Sequence, residues 1–124
     1  MVVRPATCSL YRYTPLSRVL TSTGMVLRPV RPSTTALRIS IEGRARPLLG
    51  YSADTAFDPE LIEWLAEAEL IIHETNFGVH TPLAALVGLP AEQRARMRLI
   101  HYPDQLDPAT APIRCACEGD CVEP

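Results

Sequence analysis

Lysine is absent from this 124-residue chain, and all 12 of its basic residues are arginine. Beside the many alanines and prolines, this reads as a bias of base composition rather than a chemical requirement. Aromatic residues make up only 6% against an apolar share of 47%, so the core is mostly aliphatic. No apolar run approaches the ~20 residues of a membrane-spanning helix. The opening residues, MVVRPATCSLYRY, lack the long apolar stretch of a signal peptide. These two absences point to the cytoplasm and exclude a membrane from the partners. Histidine is missing before position 73, and the three present are His73, His80 and His101.

The length suits one small domain or part of a larger one. Its charge is unevenly placed. Residues 1–47 hold 8 Arg against one acid (Glu42), a net +7, while residues 48–124 hold 4 Arg against 13 acids, a net −9. A basic half can meet phosphates. It can equally pack against an acidic surface of the same protein.

Residues 1–24 form an irregular segment in which Tyr11, Tyr13, Leu16, Val19 and Leu20 follow no clear period. Pro29 and Pro32 make "MVLRPVRPS" an edge strand or extended loop at best. From Ala36 the pattern sharpens. In "ALRISIE", Leu37, Ile39 and Ile41 alternate with Arg38, Ser40 and Glu42, as in a half-buried strand. A glycine turn and "PLLGYS" then complete a hairpin over 36–52. Asp58-Pro59 starts a helix, a side-chain acceptor followed by a residue whose φ is already set. The spacing of Leu61, Leu65 and Ala68 predicts an amphipathic helix of about three turns. "LIIH" is a short buried strand. Thr81-Pro82 is a second helix start, Leu89-Pro90 a third, and "RLIHY" another apolar strand ended by Pro103.

Residues 46–102 thus read strand, helix, strand, helices, strand. Such connections are right-handed crossovers between parallel strands, whose C-terminal ends share one edge of the sheet, where ligands collect. Each strand stops there on polar groups: Asp54, then His73 and Glu74, then His101. One carboxylate with two or three imidazoles suits a borderline divalent ion such as zinc, manganese or iron. Such an ion lowers the pKa of bound water and supplies hydroxide at neutral pH. Glu74 could orient a histidine. Alone, each residue has a structural explanation, Asp54 as a turn cap and the histidines as satisfied strand ends. Their common edge favours a site.

"GYSADT", "LIIHETNFGVHT" and "MRLIHYPD" resemble the second half of a metallo-β-lactamase-fold hydrolase, near the ribonuclease Z-like and phosphodiesterase branch. The resemblance covers roughly residues 25–113 and leaves 114–124 as a cysteine-containing tail. It implies an α/β fold, the C-terminal half of a four-layer αββα sandwich. It also implies two divalent ions, zinc by preference, in the complete domain. Asp54 matches the Asp of an "SGDT"-like turn that bridges the metals, and His101 matches a late strand-end ligand. His73, Glu74 and Thr75 match a "HEAT"-like stretch that supports catalysis, and His80 a further histidine near the scissile phosphate. The implied function is hydrolysis of a phosphodiester or related ester, from a small molecule or nucleic acid, by metal-bound hydroxide.

The early HxHxDH cluster of that family is absent. Asp54 and His101 supply two ligands where zinc takes about four. The expectation is therefore a fragment, an incomplete product or one half of a two-chain protein, inactive alone and completed by a partner chain or a second copy. The alternative is a non-catalytic remnant or interaction module. Cys115, Cys117 and Cys121, with Cys8 as a fourth, leave open either a zinc site or plain reduced thiols.

Overall fold

The computed structural model describes residues 23–30 and 34–123. The expectations for residues 1–22, Cys8 among them, lie outside the described residues.

One sheet of five strands runs β1-β2-β3-β4-β5 in spatial order. The strands are β1 (Thr23–Val30), β2 (Thr34–Ile41), β3 (Leu49–Tyr51), β4 (Leu70–Glu74) and β5 (Met97–Ile100). β1, β2 and β3 pair antiparallel; β3, β4 and β5 pair parallel. The expected hairpin is β2–β3, with Leu37 opposite Tyr51 and Ile39 opposite Leu49. β1 is an edge strand, as Pro29 favours, because a proline cannot donate to a ladder.

Three helices connect the parallel strands: α1 (Pro59–Leu65), α2 (Leu83–Val87) and α3 (Ala91–Ala95). Asp58 caps α1 as its sequence suggested, its Oδ1 accepting from Leu61 N at 3.0 Å. The helix has seven residues, fewer than three turns. Arginines end it: Arg46 donates to the carbonyls of Ala66 and Glu67, and Arg96 to those of Ala66 and Ala68. With those carbonyls occupied, the chain turns into β4. The second start also differs from expectation. Pro82 is the N-cap of α2 and no side chain caps it. Thr81 Oγ1 instead donates to the Thr55 carbonyl at 3.2 Å.

The two faces of the sheet have different neighbours. On one, Ala36, Ile71, Met97 and Leu99 are buried against Leu61, Leu65 and Leu86 of the helices. Gly50 lets α1 approach, since a Cβ there would lie 3.0 Å from Leu65 Cδ2. On the other face Leu37, Ile39, Leu49, Tyr51, Leu70 and Ile72 stand in register. They are half-buried, and none belongs to the helix-side core.

The basic stretch packs against acids of the same chain. Arg28, Arg38 and Arg44 pair with Glu60, Glu67 and Glu69, and Arg38 also stacks on Trp64 at 4.4 Å. Past β5, Ile113 and Cys115 enter the core, and Cys115 bridges to Leu99. Cys115 is buried while Cys117 and Cys121 are exposed. Among the described residues these thiols form no metal-binding group of three. Among them, too, no helix is long and apolar enough to cross a membrane.

Candidate active site

The turn after β3 begins the site. Ser52 N donates to the Ile72 carbonyl at 3.0 Å, so the strand still pairs there. Ala53 then adopts φ +53°, a left-handed conformation unusual for a residue with a Cβ. This reverses the chain and presents Asp54, half-exposed, beside the end of β5. His101 follows β5 with φ +50°. Its Nδ1 lies 3.3 Å from Asp54 Oδ1. Two strained residues at one sheet edge are what a held functional geometry costs.

β4 delivers Glu74, which is fully buried. Its Oε1 accepts from Thr55 N at 2.9 Å and Thr81 N at 3.2 Å, and faces His80 Nδ1 at 3.3 Å. Its Oε2 has no hydrogen-bond partner among the described residues. The His80 and His101 rings meet edge to face, 4.9 Å between centroids. Glu74, His80 and His101 each offer a donor atom within 4.8 Å of the others. Asp54 adjoins this group through His101.

His73 does not join them. It lies on the helix-covered face, paired in register with Leu99. Its Nδ1 is 2.7 Å from the Glu74 carbonyl, which can only accept, so Nδ1 carries the proton. Nε2 is buried without a partner among the described residues. Burial holds the imidazole below its usual pKa range, outweighing the opposite pull of the Glu74 carbonyl and charge. The ring is therefore neutral at neutral pH. Period-two alternation already separates His73 from Glu74, because adjacent strand residues face opposite sides.

The histidine that the Glu74 carboxylate faces is His80, not its chain neighbour His73. The groups that sequence reasoning missed are the ones that hold Glu74 and its loop. Besides Thr55 N and Thr81 N, Ser52 Oγ accepts from Glu74 N at 2.9 Å. Asn76 ties the 76–81 loop to the end of β5, its Nδ2 donating to the His101 carbonyl at 2.8 Å. The only sequence signal for these was the run of small polar residues in "SADT" and "ETN".

The donor set fits a divalent ion. It combines imidazoles with carboxylates, and a buried carboxylate oxygen lacks a proton donor. Asp54 and His101 are the exposed pair, and Glu74 with His80 lies behind them.

This architecture is that of the metallo-β-lactamase fold, the α/β class its motifs suggested. A new diphosphatase of the PhnP family superposes with a TM-score of 0.67 at 15% identity, over 93% of this chain and 49% of that one. The metallo-β-lactamase-fold protein YhfI from Bacillus subtilis superposes with a TM-score of 0.58 at 19% identity, over 78% of this chain and 43% of that one. The sequence profile of the family described as Anti-Pycsar protein Apyc1 matches residues 23–115, and the chain belongs to that family. The Apyc1 of Bacillus phage BSP38 is 32% identical over 88 residues, covering 65% of this chain and 34% of that protein. The Apyc1 of Saccharibacillus brassicae is 39% identical over 61 residues, covering 44% of this chain and 25% of that protein. A cAMP/cGMP-dependent 3',5'-cAMP/cGMP phosphodiesterase B of Dictyostelium discoideum is 31% identical over 78 residues, covering 48% of this chain and 7% of that protein. The chain thus spans about a third or less of these curated relatives.

Proposed function

We propose that this chain carries one part of the active site of a metal-dependent phosphodiesterase that opens 3',5'-cyclic nucleotides. The observation that carries the proposal is the meeting of Asp54, Glu74, His80 and His101 at the C-terminal ends of parallel strands. The name of the Dictyostelium discoideum relative supports the phosphodiester class and, within the branch the motifs resemble, its phosphodiesterase side.

Asp54 and His101 would hold the divalent ions, with further ligands contributed from beyond the described residues. Such an ion (zinc, manganese or iron) supplies Lewis acidity and lowers the pKa of a water bound to it. The chain's own residues do the rest. The Glu74 carboxylate, fixed by two backbone N–H groups, accepts from Nδ1 of His80 and so sets its tautomer. Nε2 of His80 is then the atom that exchanges a proton, and in its protonated form it hands that proton to the leaving ester oxygen. His73 acts at one remove: its Nδ1–H anchors the Glu74 carbonyl and helps keep the end of β4 in place.

The half-buried apolar sheet face and the two-ligand metal shell support completion by more polypeptide: the rest of a longer protein, a partner chain or a second copy. The test compares this chain with a version extended by its upstream coding sequence, or mixed with a neighbouring product that carries HxHxDH. Bound metal and cyclic-nucleotide hydrolysis are measured in each. Activity is expected only in the completed form; His80→Ala should remove about 100-fold or more of it, the scale of a lost general acid, and Asp54→Ala should remove bound metal and activity together. A completed protein that binds no metal sinks the reading. The remnant reading would then stand, with Asp54→Ala altering stability alone.

A further inference from the structure

Beside the proton-handling residues lies a cavity of about 480 Å³ that the mechanism above does not use. His80 lines it, so it opens onto the site. Its other walls include Phe77, Pro82, Leu83, Pro103 and Leu106, with Gln105 among them. Among the described residues no arginine, aspartate or glutamate lines it. Mostly apolar walls with a few polar groups, at this volume, describe a small-molecule site rather than a phosphate site.

Phe77 is its most telling wall. The chain has only two phenylalanines, and Phe77 is 68% exposed rather than spent in the core. Nor does it sit on a loose loop. Asn76 Oδ1 accepts from Phe77 N at 2.8 Å, while Asn76 N donates to the Thr81 carbonyl at 3.2 Å and closes the loop. Asn76 Nδ2 is the group already bound to His101 O at 2.8 Å. Gly78 turns the chain at φ +72°, which L side chains rarely adopt. The loop backbone that carries this exposed aromatic is thus tied down between Glu74 and His80 in the chain. Held this way, Phe77 is ready to stack on a flat ring.

Given the cyclic-nucleotide reading on which this rests, we infer that the cavity takes the heterocyclic base of the substrate. Phe77 stacks on it and the Gln105 amide, donor and acceptor at once, meets its edge. The sugar phosphate is then left over His80 and His101. The apolar walls that the described residues supply suit an uncharged base, and stacking accepts purines and pyrimidines alike.

Saturation-transfer NMR on this chain, with adenosine, cytidine and plain ribose as probes, tests the inference. Saturation should reach the base protons of both nucleosides and leave ribose untouched. Phe77→Ala should abolish it and Phe77→Trp should retain it. In a completed, active protein, Phe77→Ala should raise KM about tenfold or more, the scale of one lost base stack, with kcat nearly unchanged. Equal saturation of ribose, or nucleoside signals indifferent to Phe77→Ala, overturns it. So does an effect of Phe77→Ala on self-association with none on nucleosides, which would make Phe77 a contact between copies. Hydrolysis of cyclic nucleotides separates the two claims. If it occurs while nucleosides leave the cavity untouched, only the base assignment falls; if it fails in the completed protein, the phosphodiesterase reading falls.

Discussion

Ala53 is the residue whose backbone does most to place the site. A Cβ at φ +53° costs about 1–2 kcal/mol, and the geometry is worth that cost because it aims Asp54 at His101. Ala53→Gly relieves strain but loosens the unfolded chain and gives up a mostly buried methyl. The net change should stay within about 1 kcal/mol. Ala53→Val, β-branched at the same φ, should destabilise by about 1–3 kcal/mol, read as a shift in the urea midpoint. Cys115 allows a prediction in pH. Burial raises its thiol pKa, with the charge of Cys117 and then Asp107 adding in the same direction. The folded chain therefore keeps a proton that the unfolded chain releases. Stability falls as pH rises through and above the ordinary thiol value of ~8.5, and is unaffected by this group below it. Cys115→Ala should flatten that alkaline decline. At pH 8, iodoacetamide should modify Cys117 and Cys121 well before Cys115, as peptide mapping can show.

At the scale of elements, the site depends on how closely α1 lies against β3. Gly50 sits under that helix, and an added methyl would stand 3.0 Å from Leu65 Cδ2 and 3.3 Å from the Leu65 carbonyl. The side chain can move aside, but a backbone carbonyl moves only with the helix. Gly50→Ala should therefore cost about 1–3 kcal/mol through overpacking, measured by thermal melting. The short crossovers serve the same purpose. α1 stops at Leu65 because Arg46 and Arg96 occupy the carbonyls that follow. The chain is then free to enter β4 in the register that pairs Glu74 with Ile100. A longer helix would displace Glu74 from the site edge.

For the whole molecule, the sheet has helices on one side and a half-buried aliphatic face on the other. Leu37, Ile39, Leu49, Tyr51, Leu70 and Ile72 are only half-buried, and an apolar sheet face of that kind can draw further polypeptide onto it. Self-association that grows with concentration is expected by sedimentation velocity, reduced by Ile72→Arg. A monodisperse monomer at high concentration would count against completion by further polypeptide. Among the described residues, Arg28, Arg38, Arg44 and Arg46 are each engaged by groups of the same chain. The ion pairs with Glu60, Glu67 and Glu69 follow the intramolecular reading of the charge asymmetry.

Residue order alone was enough for whatever depends on neighbours a few positions apart. The Asp58-Pro59 cap, the alternation of Leu37, Ile39 and Ile41, and the succession of strands and helices are of that kind. Alternation and turn chemistry act locally, so a single sequence displays them. The strand-end reading reached Asp54 and His101, because chain topology carries strand ends to a shared edge, and the family motifs matched the same two residues. Tertiary structure alone decided which side chains met there. Glu74 faces His80 rather than its neighbour His73, Thr81 serves Glu74 rather than α2, and Cys115 enters the core while Cys117 does not. Each of those outcomes turns on the direction of a Cβ and on contacts between residues distant in the chain. Packing of the helices against one face of the sheet sets both.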